Sequence, residues 1–252
     1  MSSIPDAPPG WRLIEYDSID STSDEARRLA EAGEDGPVAV WAREQTAGRG
    51  RHGRSWTSPK GNFYLSVLLR PGCPTSRAPE IGFVVGVAMA RAAREVSGVP
   101  VVLKWPNDLL ADGRKVAGIL LDSADDGQGR VAWVVAGTGV NVASHPDGLP
   151  DATSLSAQGY AGTVEDLVAA YIRALAEELE AWERDGFLPI RERWSNHALP
   201  QATPLSVKLP DGVVEGDFGG LDETGSLLLR RNGETLRISV GDVFPLVSPT
   251  AA

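Results

Sequence analysis

The chain has 252 residues, 42% of them hydrophobic and 23% charged, and a net charge of −10. That length and apolar share support one large core, or one large and one small domain, and the charged share is ordinary for a globular protein. An acidic body argues against general binding of nucleic acid, and Cys73, the single cysteine, excludes an internal disulfide and a thiolate metal cluster.

The first ten residues hold Pro and Ser without a basic start or an apolar stretch, so they do not read as a signal peptide. The longest apolar run, Ile81 to Ala90, is too short to span a bilayer. A cytoplasmic protein without membrane contact is expected.

Residues 11–17 read as a short strand. Asp20-Ser-Thr-Ser-Asp-Glu25 then starts a helix, with Thr22 and Glu25 spaced as a capping box and Gly33 as the stop. Capping alone would account for the hydroxyls of Ser21, Thr22 and Ser23, but groups at a helix start also bind polar ligands. Val38 to Ala42 is a strand that delivers the most unusual stretch of the chain, Gln45-Thr-Ala-Gly-Arg-Gly-Arg-His-Gly-Arg-Ser-Trp56. Arg49, Arg51 and Arg54 alternate there with Gly48, Gly50 and Gly53, and no carboxylate interrupts them. Glycines let backbone N–H groups approach a ligand, and guanidinium forks suit carboxylates and phosphates. A small anion on an acidic body is the ligand this local exception suits. The glycines also satisfy the dinucleotide pattern G-x-G-x-x-G, but no helix opens after them: Ser55 to Asn62 is turn-rich, with Pro59 and Gly61.

Phe63 to Leu69 is the next strand, and Pro79 to Ser97 a buried helix ending near Gly98. Val99 to Lys104 is a strand that runs into Lys104-Trp-Pro-Asn-Asp108, where Pro106 forces a turn at a sheet edge. Lys104 and Asp108 are either an exposed ion pair or part of a nucleotide pocket, with Lys104 on phosphate and Asn107 and Asp108 on polar groups or hydrated Mg²⁺. Leu109 to Ala111 and Val116 to Leu121 flank the hairpin turn Asp112-Gly113, which places Lys115 at a strand mouth. Gly118 lets a ligand lie close to that strand. Val131 to Val142 is a further strand whose Gly137-Thr-Gly-Val-Asn141 ends in an amide. Thr163 to Asp185 is a long amphipathic helix capped by Thr163 and Asp166 and stopped by Gly186, with a shorter helix over 187–198.

Beyond Pro200 the pattern changes to five short strands: Leu205 to Leu209, Val213 to Phe218, Leu227 to Arg230, Thr235 to Val240 and Val243 to Val247. Asp211-Gly212, Gly219-Gly220 and Asn232-Gly233 are expected in their connections. Such strands read as a small β-barrel, and the boundary falls near residues 196–202.

Taken in order, Gly48-Arg-Gly-Arg-His-Gly-Arg-Ser-Trp56, Lys104-Trp-Pro-Asn-Asp108, Lys115-Val-Ala-Gly-Ile119 and Gly139-Val-Asn141 resemble the motif series of the biotin protein ligases, over about residues 12–247. Asp20-Ser-Thr-Ser23 stands where that family has Ser-Thr-Asn, so Ser23 departs from the pattern. Some twenty residues precede it, too few for the winged helix of repressor members, so the resemblance implies an enzyme without DNA binding.

It further implies an α+β fold: a mixed-sheet catalytic domain over 1–198, similar to class II aminoacyl-tRNA synthetases, and an SH3-like domain over 199–252. It implies an ATP-dependent ligase that forms biotinyl-5′-AMP with Mg²⁺ and passes biotin to a lysine of a biotin carboxyl carrier domain, from acyl-CoA or pyruvate carboxylases. A transient homodimer is compatible with it.

By the same resemblance, Lys115, Arg51 and Arg49 are the catalytic residues. Ser21, Thr22, Ser23, Gln45, Gly48, Arg49, Gly50, Arg51, Lys115 and Gly118 bind biotin, and the strand from Val116 lies along its valeryl chain. Arg54, Trp56, Lys104, Asn107, Asp108 and Asn141 bind ATP. No metal ligand is assigned, Asp108 through water being the one candidate. A lipoate–protein ligase shares this chemistry but lacks the arginine loop, and a non-enzymatic biotin sensor would bind without adenylating.

Overall fold

The computed structural model describes residues 7–246. Seven strands form one mixed sheet: β1 (Arg12–Tyr16), β2 (Val38–Ala42), β3 (Phe63–Leu69), β4 (Val101–Lys104), β5 (Asp108–Ala111), β6 (Arg114–Asp125) and β7 (Val131–Val140). Their order across the sheet is β1-β2-β3-β7-β6-β5-β4. Only β1 and β2 run parallel; α1 (Thr22–Glu31) crosses between them, and hairpins or longer returns make the other pairs antiparallel.

Strand alternation sorts the residues onto two faces. Trp41, Leu65, Val67, Val134, Ala136, Leu103, Leu109 and Ile119 face the large core, which is closed by α2 (Glu80–Ser97) and α3 (Val164–Asp185). Val38, Val40, Leu68 and Val135 turn the other way and bury Ala26 and Ala30 of α1. α1 is short and covers only one end of that second face. Further along, Gly137 pairs with Leu120 and Gly139 with Gly118, and the three glycines leave a hollow.

A second sheet, wholly antiparallel, has the order β11-β10-β9-β8-β12, built from β8 (Pro204–Leu209), β9 (Gly212–Leu221), β10 (Leu227–Arg231), β11 (Glu234–Ile238) and β12 (Asp242–Pro245). All five expected strands are present; the expected end of the last, Val247, lies outside the described residues. α4 (Phe187–Asn196) leads into this sheet. Trp105 Nε1 donates to the Gly225 carbonyl at 3.0 Å, tying the two sheets together, and Phe83 of α2 packs edge-on against Phe187 of α4.

Three expectations are corrected. The cap of α1 is Ser21, whose hydroxyl accepts from the Asp24 amide; Thr22 already sits in the first turn, which frees its side chain for the sheet. Gly219 and Gly220 lie inside β9 and not in a connection. A Cβ on Gly219 would stand 2.9 Å from the Leu228 carbonyl oxygen, and Gly220 has φ +98°, so the pair allows a close, irregular crossing with β10. Val116 points into the core, fully buried; β6 faces the hollow with Gly118 and Leu120 instead.

Candidate active site

A cavity of about 660 Å³ fills the hollow between the first sheet, the loop over residues 45–57, the 146–152 segment and β12. Its floor at the α1 end is neutral and polar. Thr22 N–H donates to Gln45 Oε1 at 2.8 Å, and the Thr22 and Ser23 hydroxyls meet Ser66 Oγ at 2.8 and 3.0 Å. Gln45 Nε2 donates to Ser58 Oγ at 2.9 Å. The hydroxyls can each donate or accept, so this corner suits a ligand that offers both kinds of group. It exists because Ser66 is the polar residue of a strand buried along its whole length, on the face that α1 meets.

At the other end, the turn after β4 presents Lys104, Asn107 and Asp108. Asp108 is 8% exposed, and its oxygens lie 2.8 Å from Lys104 Nζ and 2.5 Å from Lys115 Nζ. Burial raises its carboxyl pKa, but the two ammonium groups outweigh burial and hold it below the ordinary carboxylate range. Lys104 and Asp108 are therefore part of a triad around a buried carboxylate, and not the exposed pair considered from sequence. Asp108 fixes the two lysines at the cavity wall while one positive charge remains in excess. Asn107 donates to the Ile119 carbonyl at 2.8 Å and accepts from Arg51 at 3.0 Å.

The arginine loop folds over the opening. Gly50 N–H bonds to the Arg54 carbonyl and Trp56 N–H to the Gly48 carbonyl, at 2.7 and 2.8 Å. Between them Arg51–Gly53 make a single tight turn with His52 at φ +56°. The Trp56 indole lies on the two paired glycines: a Cβ on Gly139 would stand 2.6 Å from its Nε1, and one on Gly118 3.2 Å from its ring. Lys115 Nζ sits 5.5 Å from the centre of the same ring.

The three arginines have unequal surroundings. Arg49 bonds to Asp24 and to Asp122, both at 2.9 Å. Burial lowers its pKa, yet the two carboxylates outweigh burial and keep the guanidinium firmly charged. Arg49 thus straps the loop to α1 and β6. Arg51 and Arg54 share one carboxylate, Asp242 of β12, each at 3.2 Å.

The cavity wall holds Arg49, Arg51, Arg54, Lys104 and Lys115 against Asp108, Asp151 and Asp242, a net positive site on a chain of −10. Thr22, Ser23, Gln45, Gly50, Trp56, Asn107, Gly118 and Asn141 also line it. Ser21 and Gly48 do not. Ser21 is buried as the cap, and Gly48 packs against the Trp56 carbonyl and Ser58. The Asn141 amide is spent on the Thr153 carbonyl at 3.0 Å, which holds the 152–155 segment against β7.

Sequence reasoning missed Asp24, Asp122 and Asp242, the anions that place the arginines. It also missed Ser66, for which a lone polar residue in an apolar strand was a readable signal. Among the described residues no group of three or more His, Cys, Asp or Glu could hold a metal ion. Both Asp108 oxygens are turned to lysines. The donor set therefore fits a Mg²⁺ that arrives on phosphates and keeps its waters, and does not fit a metal caged by the protein.

The profile of the Biotin/lipoate A/B protein ligase family matches residues 16–141, the strands and loops that build this cavity, and that of the Biotin protein ligase C terminal domain matches residues 206–244. The chain belongs to the Biotin/lipoate A/B protein ligase family. Within it, the chain is a member of the biotin protein ligases. It is 39% identical over 235 residues to the Biotin--[acetyl-CoA-carboxylase] ligase of Paracoccus denitrificans, covering 89% of this chain and 97% of that one. The ligase of the same name from Mycobacterium tuberculosis is 33% identical over 247 residues, 94% of this chain and 90% of the relative. Among solved structures, the biotin protein ligase of Aquifex aeolicus in complex with biotin and ATP superposes with a TM-score of 0.79 at 28% identity, covering 92% and 97% of the two chains. That likeness covers the mixed sheet and the C-terminal antiparallel sheet together.

Proposed function

We propose that this chain activates biotin with Mg-ATP and passes it to a lysine of a biotin carboxyl carrier domain. The observation that carries the reading is one cavity with a neutral donor–acceptor corner at one end and an excess of fixed cations at the other. Two anions, a carboxylate and a triphosphate, must meet in the first step, and they do so only where positive charge is already in place.

Thr22, Ser23, Gln45 and Ser66 take the ureido ring, and the chain of biotin runs over Gly118 and Leu120. Its carboxylate oxygen attacks the α-phosphorus, forming the mixed anhydride as the bond to pyrophosphate breaks. Lys115 stabilises charge at that centre, and Arg51, Arg54 and Lys104 take the phosphates. Mg²⁺ on the nucleotide neutralises phosphate charge. In the second step the carrier amine attacks the acyl carbon, AMP leaves with the bonding pair, and the amine loses its proton.

The acceptor belongs to a carboxylase, as the names of the relatives indicate. We extend it to the carrier domains of acyl-CoA and pyruvate carboxylases in the cytoplasm, with no nucleic-acid partner. No helix among the described residues is long and apolar enough to cross a membrane. We assign residues 1–198 to catalysis, with a sheet like that of class II aminoacyl-tRNA synthetases, and 199–252 to an SH3-like unit.

Biotin-dependent exchange of pyrophosphate into ATP, followed by labelling of a carrier domain, tests the reading. Exchange that answers to lipoate would move the chain to the lipoate enzymes. Biotin binding with neither exchange nor labelling would leave a sensor.

A further inference from the structure

The arginine loop is supplied with an anion by the chain itself. Asp242 opens β12, and its Oδ1 lies 3.2 Å from Arg51 Nη1 and 3.9 Å from His52 Nε2, while Oδ2 lies 3.2 Å from Arg54 Nη2. Tight charge-assisted bonds run at about 2.7–2.9 Å, so one carboxylate is stretched between two guanidinium groups and saturates neither. Its side chain is 24% exposed and that of Arg54 61%, so water and salt reach the clasp. Asp108 is the opposite case, a buried carboxylate with shorter contacts to its two lysines. Arg49, bonded at 2.9 Å to both Asp24 and Asp122, is the fixed strap of the loop; Arg51 and Arg54 are the pair held by an exchangeable partner.

We propose that Asp242 is a built-in competitor for polyphosphate: it occupies the guanidinium pair until a ligand with several negative charges displaces it. This rests on the reading that Arg51 and Arg54 meet the nucleotide's phosphates. Asp242 thereby sets a charge threshold. A pyrophosphate group can satisfy both guanidinium groups and release the carboxylate to water, whereas a ligand without phosphate leaves the clasp in place. The next residue, Val243, accepts from Lys104 Nζ at 2.7 Å, so the same edge strand touches a second phosphate-seeking cation.

The competing role and a positioning role give opposite signs. If Asp242 competes, its neutralisation strengthens phosphate binding; if it only orients the arginines, neutralisation weakens it. Calorimetric titration of the full chain and of Asp242→Asn with inorganic pyrophosphate, ATP, adenosine and biotin separates them. The expected result is pyrophosphate and ATP binding about three- to tenfold tighter in the variant, the scale of losing two partly exposed ion pairs, with adenosine and biotin unchanged. Unchanged or weaker pyrophosphate binding overturns the proposal. Arg54→Gln, alone and added to Asp242→Asn, completes a double-mutant cycle in which the Arg54 share of the gain disappears and the Arg51 share remains; a gain that persists in full would place it elsewhere and also overturn the proposal. Pyrophosphate titration needs no turnover. A parent chain that failed in biotin-dependent exchange would therefore sink the proposed function while the Asp242 measurement still read its own outcome.

Discussion

Lys115 shows how a single charge is made useful. It stands between Asp108, at 2.5 Å, and the Trp56 ring, at 5.5 Å, with its side chain 35% exposed to the cavity. Asp108 is shared with Lys104, so neither lysine is fully neutralised. In the proposed reaction, Lys115→Ala removes a charge whose value grows as negative charge gathers at the α-phosphorus. Single-turnover adenylate formation should fall by about two to three orders of magnitude, as for loss of one preorganised donor, with biotin affinity changed far less. Equal losses in rate and affinity would mean that Lys115 serves ground-state binding only. His197 supplies a second test at this scale. Burial lowers its pKa, and Arg94 and Arg91 add to the effect; the ring nitrogen Nδ1 lies 3.0 Å from the Arg94 guanidinium. The unfolded chain then binds more protons than the folded one once pH drops below the ordinary histidine value of about 6.5. Stability is therefore fully present above that pH and is lost as pH falls through the folded-state value. His197→Gln should flatten the fall in melting temperature as pH drops below about 6.5. An unaltered profile would remove His197 from the acid limb.

At the scale of elements, the cavity is a consequence of period-two alternation. Ser66, Gly118, Leu120, Asp122, Gly137 and Gly139 share the face opposite the α2–α3 core because each is an even number of residues, or one register step, from the next. Two of the glycines are cut to fit side chains that arrive from elsewhere: a Cβ on Gly137 would stand 2.4 Å from Ser23 Oγ, and one on Gly139 2.6 Å from the Trp56 indole. Gly139→Ala should leave global stability within about 1 kcal/mol, since a strand tolerates alanine at least as well as glycine. The clash falls on the loop side chain, so Trp56 should be displaced, with altered indole fluorescence and weaker nucleotide binding. Nucleotide affinity equal to the parent's would show that Trp56 has no part in the site.

For the whole molecule, the second sheet is part of the site and not an appendage. Trp105 reaches Gly225, Lys104 reaches Val243 and Asp242 holds the loop, so three contacts from residues after 203 bear on the walls of the cavity. Gly225 has φ +86°, and a Cβ there would stand 2.7 Å from the Phe83 ring. Gly225→Ala combines an unfavourable backbone conformation with overpacking and should cost about 2–4 kcal/mol. Calorimetry would show it, and the loss should reach ATP binding as well as the melting temperature. A variant that melts like the parent would mean that the two sheets dock by other contacts.

The sequence alone determined whatever depends on near neighbours. Helices and strands followed from periodicity, Asp112-Gly113 and Asn232-Gly233 turned as hairpins, and Thr163 with Asp166 capped α3 as spaced. The ordered motifs brought Gln45, Arg51, Lys104, Asp108 and Lys115 to one cavity. Only the tertiary structure decided which partner each charged group keeps. Asp24 and Asp122 claim Arg49, and Asp242 reaches back across 188 and 191 residues to Arg54 and Arg51. It also turned Asn141 inward to the Thr153 carbonyl and set Gly219 and Gly220 within a strand. The physical reason is range. Propensity and turn chemistry act within a few residues and leave a mark in the sequence, whereas an ion pair or a close crossing between distant segments forms only after the sheets have fixed where those segments meet.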